Sequence, residues 1–377
     1  MNKKEVTVVP EDREDSRKIV MTRAENVVLS MLHQIAQGRC PEVIYPTGVT
    51  ETLDQSERCK EKATQSQEID EFRDTMTNDS KMTRVDFTCK RSRNKLTLMT
   101  TVLSHAHRLS INGDVITRRS LYYDLQSEST QGLAPEQRHV DNSVNHVASL
   151  LGCAPWDLGF IATGKGLVAG DLTLGIGSEE SVDCNVRGGV VVPQIFSNLT
   201  KLQTSSDFVL IIEKDSVFQK LIEQDCPRSL NCILITGKGY PDVSTRMLVR
   251  ILWEKLNLPV YCLVDADPYG IEIMLVYRFG STTLAKEHKL LVCPGVRWLG
   301  IHPSELVALG VKATPLTNAD RSKLASLEER PHVKDFLSRE LDAMKRGKAE
   351  IESVASFSLQ FLSSAYIPSK IKAGQYL

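Results

Sequence analysis

The sequence predicts an α/β protein with a mostly parallel sheet, preceded by a smaller helical module of winged-helix type. The sheet rests on three apolar runs, Phe208–Ile212, Cys232–Ile235 and Val260–Val264, none of which alternates polar with apolar residues. Strands buried on both faces have that composition. Between the runs, Val217–Gln224 and Val243–Leu256 carry helical spacing, so the pattern is βαβαβ and the strands run parallel. Ligands of such sheets collect beyond the carboxyl ends of the strands. Glu213 follows the first run directly, and Asp265 and Asp267 follow the third. The helical module rests on three helical patterns between Asn94 and Leu151, then the glycine-punctuated LGFIATGKGLVAGDLTLGIG, expected to be a β-hairpin. Three helices and a hairpin make the winged helix-turn-helix arrangement, a common reader of nucleic acid.

Taken in order, residues before Lys18 are polar and expected to be loose. A helix of about 22–37 then starts with Thr22 and Glu25 in capping-box spacing and stops at Gly38. Its apolar stripe is Ala24, Val27, Val28, Met31, Leu32 and Ile35. That stripe must be covered, either by its own domain or by a partner subunit. Glu51–Met82 is polar and reads as a flexible linker. From Asn94, Leu96, Met99, Leu103 and Ala106 share a helix face, and Asn112-Gly113-Asp114 makes a turn. Thr117 can cap a short helix containing RRSLYYDL, and Val140, Val144, Val147 and Leu151 define another. Ser178–Thr204 reads as irregular connection apart from a short apolar strand after Gly188-Gly189. Beyond Gly280 a strand at Leu290–Val292 and helices at Pro303–Leu309, Arg321–Leu327 and Lys348–Leu362 are expected. The domain division that follows is residues 1–82, 83–190 and 200–377.

Composition removes several classes of function. Lys and Arg (46) nearly balance Asp and Glu (47), so the chain as a whole is no polyelectrolyte. Charge is segregated, however: Lys81–Arg119 holds nine Lys and Arg against Asp86 and Asp114 only. A basic block in a chain whose sheet edge is acidic is what an enzyme acting on a polyanion needs. Nine scattered cysteines without a CxxC pair fit a reducing compartment, and neither a disulfide framework nor a structural zinc site. No apolar core of signal-peptide type opens the chain and no run approaches the ~20 apolar residues of a membrane span, so no membrane role is expected.

Four motifs carry chemistry. Asp265-Ala266-Asp267 places two carboxylates on one side of an extended chain. Asp267-Pro268 is also a natural helix start, with Asp as cap and Pro in the first turn. Together with Glu213, the pair forms a hard oxygen site suited to Mg2+ or Mn2+, and this constellation resembles the Toprim domain of topoisomerases and primases. Tyr122-Tyr123 follows Arg118-Arg119 in a basic setting. A phenol titrates near pH ~10 and needs adjacent positive charge or a base to act as a nucleophile. Arg119, one helical turn before Tyr123, can supply that charge and hold a phosphate; the aromatic pair can equally be core. Gly159–Gly166 falls short of a phosphate loop because Gly166 stands where the magnesium-binding hydroxyl belongs, so ATP binding is not expected. Lys165 and Lys238, each flanked by glycines, and Arg118 are candidate DNA-backbone contacts.

The segments TRRSLYYDL, LGFIATGKGLVAGDL, FVLIIEKDSVFQKL, LITGKGYPDVSTRMLV, LPVYCLVDADPYGIEIMLVYRFGS and WLGIHPSEL resemble the eukaryotic meiotic double-strand-break transesterases, homologues of the A subunit of DNA topoisomerase VI. The resemblance runs from roughly Lys95 to the C-terminus. It implies a CAP-like winged-helix domain bearing the catalytic tyrosine, then a Toprim domain. It also implies Tyr123 as nucleophile, Arg119 beside it, and Glu213, Asp265 and Asp267 as holders of Mg2+, with Glu213 also catalytic. Double-stranded DNA as substrate, a homodimer on DNA, a topoisomerase VI B-like subunit docked on the early helix, and a nuclear location follow from the same likeness. Two other readings stand beside it: a non-catalytic DNA-binding scaffold, and a metal-dependent nuclease that forms no tyrosyl link.

Overall fold

The computed structural model describes residues 3–8, 13–46, 82–127, 130, 132–177, 180–194, 199–280, 291–355 and 360–377. They form two compact units, residues 14–161 and residues 1–13 with 162–377. The division falls near residue 161, where sequence reasoning put the boundary at 190–200.

The chain begins with β1 (Lys4–Thr7), which pairs antiparallel with a strand of the second unit, Lys4 opposite Thr204. The expected loose N-terminus is therefore a paired strand at this point. The first unit then opens with α1 (Arg13–Ala36), which starts nine residues before the expected Thr22. Thr22 is no cap: its hydroxyl donates to the Lys18 carbonyl within the helix (2.9 Å), the alternative bond open to a mid-helix threonine. The apolar stripe divides. Val20 and Ala24 are buried, Val27 and Met31 pack on the same core, and Val28, Leu32 and Ile35 stay exposed.

Two short strands, β2 (Val43–Pro46) and β3 (Met82–Val85), pair antiparallel; the linker expected between them lies outside the described residues apart from Met82. Next come α2 (Lys90–Asn112), β4 (Ile116–Thr117), α3 (Arg118–Asp124), α4 (Gln137–Leu151) and β5 (Phe160–Ile161). Gly113 ends α2 in the left-handed conformation that L side chains avoid (φ 75°). Leu96, Met99, Leu103 and Ala106 of α2 meet Val140, Val144, Val147 and Leu151 of α4 in one core, as their spacing predicts.

The expected hairpin after Gly159 does not form. β6 (Leu167–Ala169) and β7 (Leu172–Ile176) are separated by Gly170-Asp171 but enter different sheets. All three residues of β6 are buried, so the strand needs cover on both faces, which a solvated wing cannot give. It pairs instead, antiparallel, with β12 (Cys232–Thr236) and β9 (Val190–Val191). β7 joins β8 (Glu180–Asp183), β10 (Leu199–Thr204) and β1 in a four-stranded antiparallel sheet. The segment expected to be irregular thus holds two strands, β8 and β10, besides the expected β9, and a bulge between Leu199 and Lys201 breaks the period-two pattern that would have marked β10.

The larger sheet runs β14-β13-β11-β12-β6-β9. Its parallel part is β11 (Phe208–Ile212), β12, β13 (Val260–Leu263) and β14 (Val296–Gly300). Between these strands lie α5 (Asp215–Glu223), α6 (Val243–Leu256) and α7 (Pro268–Phe279). Side chains of β11 alternate between two cores, Val209 and Ile211 on one face, Phe208, Leu210 and Ile212 on the other. The fourth parallel strand is VRWLG; Leu291 and Val292, expected in a strand, pair with none, and residue 290 lies outside the described residues. Helices α8 (Asn318–Glu328), α9 (Pro331–Met344), α10 (Ile351–Ala355) and α11 (Ile367–Ala373) complete the unit. The expected helix at Pro303–Leu309 shrinks to a 3₁₀ turn at Pro303–Glu305, and α9 was not anticipated.

The chain passes from β11 to β12 on one side and returns to β13 and β14 on the other. The order therefore reverses between β11 and β13, and a crevice opens at their carboxyl ends.

Candidate active site

Two constellations of functional side chains occur, one in each unit. The first lies on α3. Thr117 caps the helix by accepting the Ser120 N–H (3.0 Å), and Leu121 (0% exposed) with Leu125 (1%) anchors it in the core. With those residues turned inward, Tyr123 faces outward and is 58% exposed. Arg119 lies one turn earlier on the same face and donates to the phenol oxygen through Nε and one Nη, both at 3.3 Å. Tyr122 packs partly against the core and donates to the Pro135 carbonyl (3.4 Å). Arg118 is turned towards α4, donating to Asn145 Oδ1 (3.1 Å) beside Asp141. Neighbouring helix positions point about 100° apart, which is why the adjacent arginines serve different surfaces.

The second constellation occupies the crevice between β11 and β13. Glu213 Oε2 accepts the Asp265 N–H (2.8 Å), which ties the ends of the two strands together. Asp265 Oδ1 accepts the Ile351 N–H (2.9 Å), and its Oδ2 meets the Lys214 ammonium at 3.0 Å. Asp267 Oδ1 accepts the Gly270 N–H (2.7 Å) as the cap of α7, so the capping role read from Asp-Pro is real and leaves Asp267 at the acidic edge. Gly270 permits the approach: a Cβ there would stand 2.4 Å from the Asp265 carbonyl and 3.1 Å from Glu213 Oε2.

Burial raises the pKa of all three acids. For Glu213, burial followed by the Asp265 charge pushes it up to about 8. Asp265 and Asp267 are raised by burial even though backbone N–H groups and nearby lysines pull the other way. Burial and the neighbouring Asp265 charge thus both disfavour the ionised form of Glu213, as expected for carboxyls brought near one another where water is scarce. Lys214 supplies part of the compensation, bridging Asp265 to Glu350 (3.1 Å) and Glu352 (3.0 Å). Among the described residues no group of three or more acid, histidine or cysteine side chains is arranged so that it could hold a metal ion. The donor set of Glu213, Asp265 and Asp267 nevertheless fits a hard divalent ion, which takes carboxylate and water oxygens.

Lys165 and Lys238 are both exposed in the second unit, on loops that meet: Lys165 Nζ donates to the Lys238 carbonyl (3.2 Å), and the Lys238 ammonium pairs with Asp215 (3.1 Å). Sequence reasoning did not single out Lys214, Gly270, Glu350 or Glu352. Lys214 is adjacent to Glu213, a signal available in the sequence; Glu350 and Glu352 come from a distant segment that no local pattern ties to the crevice.

A parallel sheet with a glutamate after one strand and an Asp-x-Asp after another, together with a tyrosine-bearing helical unit, defines a type IIB topoisomerase-like protein. The Toprim domain family of Spo11 and the topoisomerase 6 A-subunit matches residues 208–371, and the family described as "Type IIB DNA topoisomerase" matches residues 94–160. The chain is 38% identical over 296 residues to Meiotic recombination protein SPO11 of Homo sapiens, covering 76% of this chain and 74% of that protein. Its identity to Meiotic recombination protein SPO11 of Mus musculus is 36% over 292 residues (75% and 72% covered). To the A-subunit of DNA topoisomerase 6 from Arabidopsis thaliana it is 33% over 292 residues (75% and 67%). The protein belongs to the Spo11/topoisomerase 6 A-subunit family.

Proposed function

We propose that this protein is a DNA-cleaving transesterase that forms meiotic double-strand breaks in the nucleus through a covalent 5′-phosphotyrosyl intermediate. The observation that carries the reading is the Arg119–Tyr123 pair: an exposed phenol, free of the core, with a guanidinium on its oxygen. The names of the relatives support the meiotic setting.

In this reading the Tyr123 oxygen attacks a backbone phosphorus. An O–P bond to tyrosine forms as the bond to the 3′-oxygen breaks; the phenol gives up its proton and the departing 3′-oxygen gains one. Arg119 stabilises the phenolate and orients the phosphate, a fork geometry suited to both oxygens. Glu213, Asp265 and Asp267 would hold Mg2+ or Mn2+, which when bound supplies charge stabilisation at the phosphate. Lys214 keeps Asp265 oriented towards the crevice. Two copies, each cutting one strand, make a double-strand break, with the tyrosine of one copy serving the acids of the other. The helical unit acts as the CAP-like winged-helix domain of the fold, without the wing expected at Gly159–Gly177. The exposed Val28, Leu32 and Ile35 of α1 form the stripe on which a topoisomerase VI B-like subunit would dock.

The test is denaturing capture of protein–DNA adducts, followed by mass spectrometry of the residue carrying a nucleotide. Tyr123→Phe is expected to abolish the adduct and leave DNA binding intact. An adduct on Tyr122 would relocate the nucleophile. Cleavage by the wild-type protein that leaves free 5′-phosphates and no adduct would favour a metal-dependent nuclease.

A further inference from the structure

The sequence TGKG occurs twice, at Thr163–Gly166 and Thr236–Gly239, and one carboxylate stitches the two loops together. Asp242 Oδ1 accepts the Thr245 N–H (2.8 Å) and hydroxyl (2.9 Å), capping α6. Its other oxygen, Oδ2, accepts the N–H groups of Lys165 (2.8 Å) and Gly166 (3.0 Å) in the first loop. That loop sits so close that a Cβ on Gly166 would stand 1.9 Å from Thr245 Oγ1, so residue 166 must be glycine for the contact to exist. Lys165 then reaches across to the Lys238 carbonyl (3.2 Å). The second loop is pinned in turn: the Gly239 N–H donates to the carbonyl of Glu213 (2.9 Å), and the Lys238 N–H to Thr236 Oγ1 (3.1 Å). A chain of hydrogen bonds thus runs from Asp242 through Lys165 to Lys238, whose neighbour Gly239 is bonded to the backbone of Glu213.

We infer that Asp242 is a positioning residue: by locking the first loop onto the second it presents Lys165 to the DNA phosphodiester backbone in fixed register with the crevice, while the Lys238 ammonium is held by Asp215 (3.1 Å). The inference rests on the DNA-cleaving reading above. Helix capping alone does not require it, since a cap needs one oxygen and Asp242 uses both. A lysine on an unanchored glycine loop would also bind phosphate, but ordering it at that moment would take up much of the gain. Holding the loop in advance makes the contact stronger.

The experiment uses the full chain and a DNA duplex, with affinity measured by anisotropy between about 50 and 200 mM salt. Asp242→Asn keeps a good cap but turns an amide N–H2 towards the Lys165 and Gly166 N–H groups; Asp242→Ser keeps a cap and leaves those groups without a partner. Both are expected to bind DNA roughly tenfold more weakly near 0.1 M salt, with a salt slope smaller by about one, the loss of one phosphate contact. Lys165→Met should show the same loss, and Asp242→Asn added to it should cause no further loss. Wild-type affinity in both Asp242 variants, or full additivity with Lys165→Met, would overturn the inference. So would an affinity loss that simply tracks a lowered melting temperature, which would make Asp242 a support of the fold. If the wild-type protein shows no salt-dependent binding, the DNA-cleaving reading itself fails.

Discussion

The tyrosine helix and the acidic crevice solve opposite problems. On α3 the proposed nucleophile is exposed and everything that fixes it is local: a threonine cap, two buried leucines one turn apart, and an arginine four residues earlier. In the crevice the candidate metal-holding acids are buried or half-buried, and Glu213 and Asp265 are fixed by distant partners, since Glu213, Asp265 and Ile351 come from three separate segments. An exposed phenol is stabilised by little and costs little. One buried and two half-buried carboxylates must be held where water is scarce, and the fold does this with backbone N–H groups, Lys214 and a glycine that lets the strand ends close. The difference teaches where each half can break: the tyrosine half through its anchor, the acid half through its packing.

The two largest expected effects fall one on each half. Gly270→Ala inserts a methyl group 2.4 Å from the Asp265 carbonyl, and overpacking of that kind costs typically about 1–3 kcal/mol. A loss of about 3 kcal/mol in chemical denaturation is expected, at the upper end of that range. Divalent-ion binding measured by calorimetry should weaken by at least roughly tenfold, because the displaced group carries Asp265. Near-normal ion binding would mean that the acids do not act through the observed crevice. On the other half, Leu121→Ala empties a site that is fully buried, and such truncations cost about 2–5 kcal/mol. That variant should lose adduct formation in proportion to its unfolding and leave ion binding unchanged.

How much of this was legible follows the same contrast. The parallel strands were readable because a short apolar run without alternation, flanked by helical patterns, suits a strand covered on both faces and little else. The placement of Thr117, Tyr123, Glu213, Asp265 and Asp267 was readable because each lies near an element end. The hairpin was misread because Leu167–Ala169 and Leu172–Ile176 are separated by a glycine turn in the sequence, while burial sends them to separate sheets. Local pattern cannot see that choice. Lys3–Val8 looked too polar to be ordered, but as an edge strand β1 needs only one face covered. Glu350 and Glu352 were invisible because their meaning depends on Lys214, more than a hundred residues away.

A smaller effect sharpens the electrostatic side. Glu213 has its pKa raised from 4.5 to about 8. Below about 4.5 the folded and unfolded states are both protonated there. Between about 4.5 and about 8 the folded state keeps the proton and the unfolded state loses it, so metal-free stability should fall as pH rises through that window and level off above it. Glu213→Gln should flatten this part of the profile, measured by thermal melting in chelator. Ion binding should strengthen over the same range in the wild type, since the carboxyl must shed its proton to become a ligand. A pH-independent affinity would place Glu213 outside the ligand set.

The smallest expected effect belongs to the residue proposed to matter most for chemistry. Tyr123→Phe removes one hydroxyl from an exposed ring and with it two 3.3 Å contacts from Arg119. Exposed hydrogen bonds of that length add little to stability because water replaces them, and the change should stay within about 0.5 kcal/mol. Arg119 would remain beside the ring face, its guanidinium carbon 5.8 Å from the centroid, so the helix keeps its shape. A substitution that abolishes the adduct and leaves the melting temperature where it was would separate chemistry from folding at this position. A drop of several kcal/mol would instead make Tyr123 a packing residue, and the contrast between an exposed reactive group and a buried one would fail on the tyrosine side.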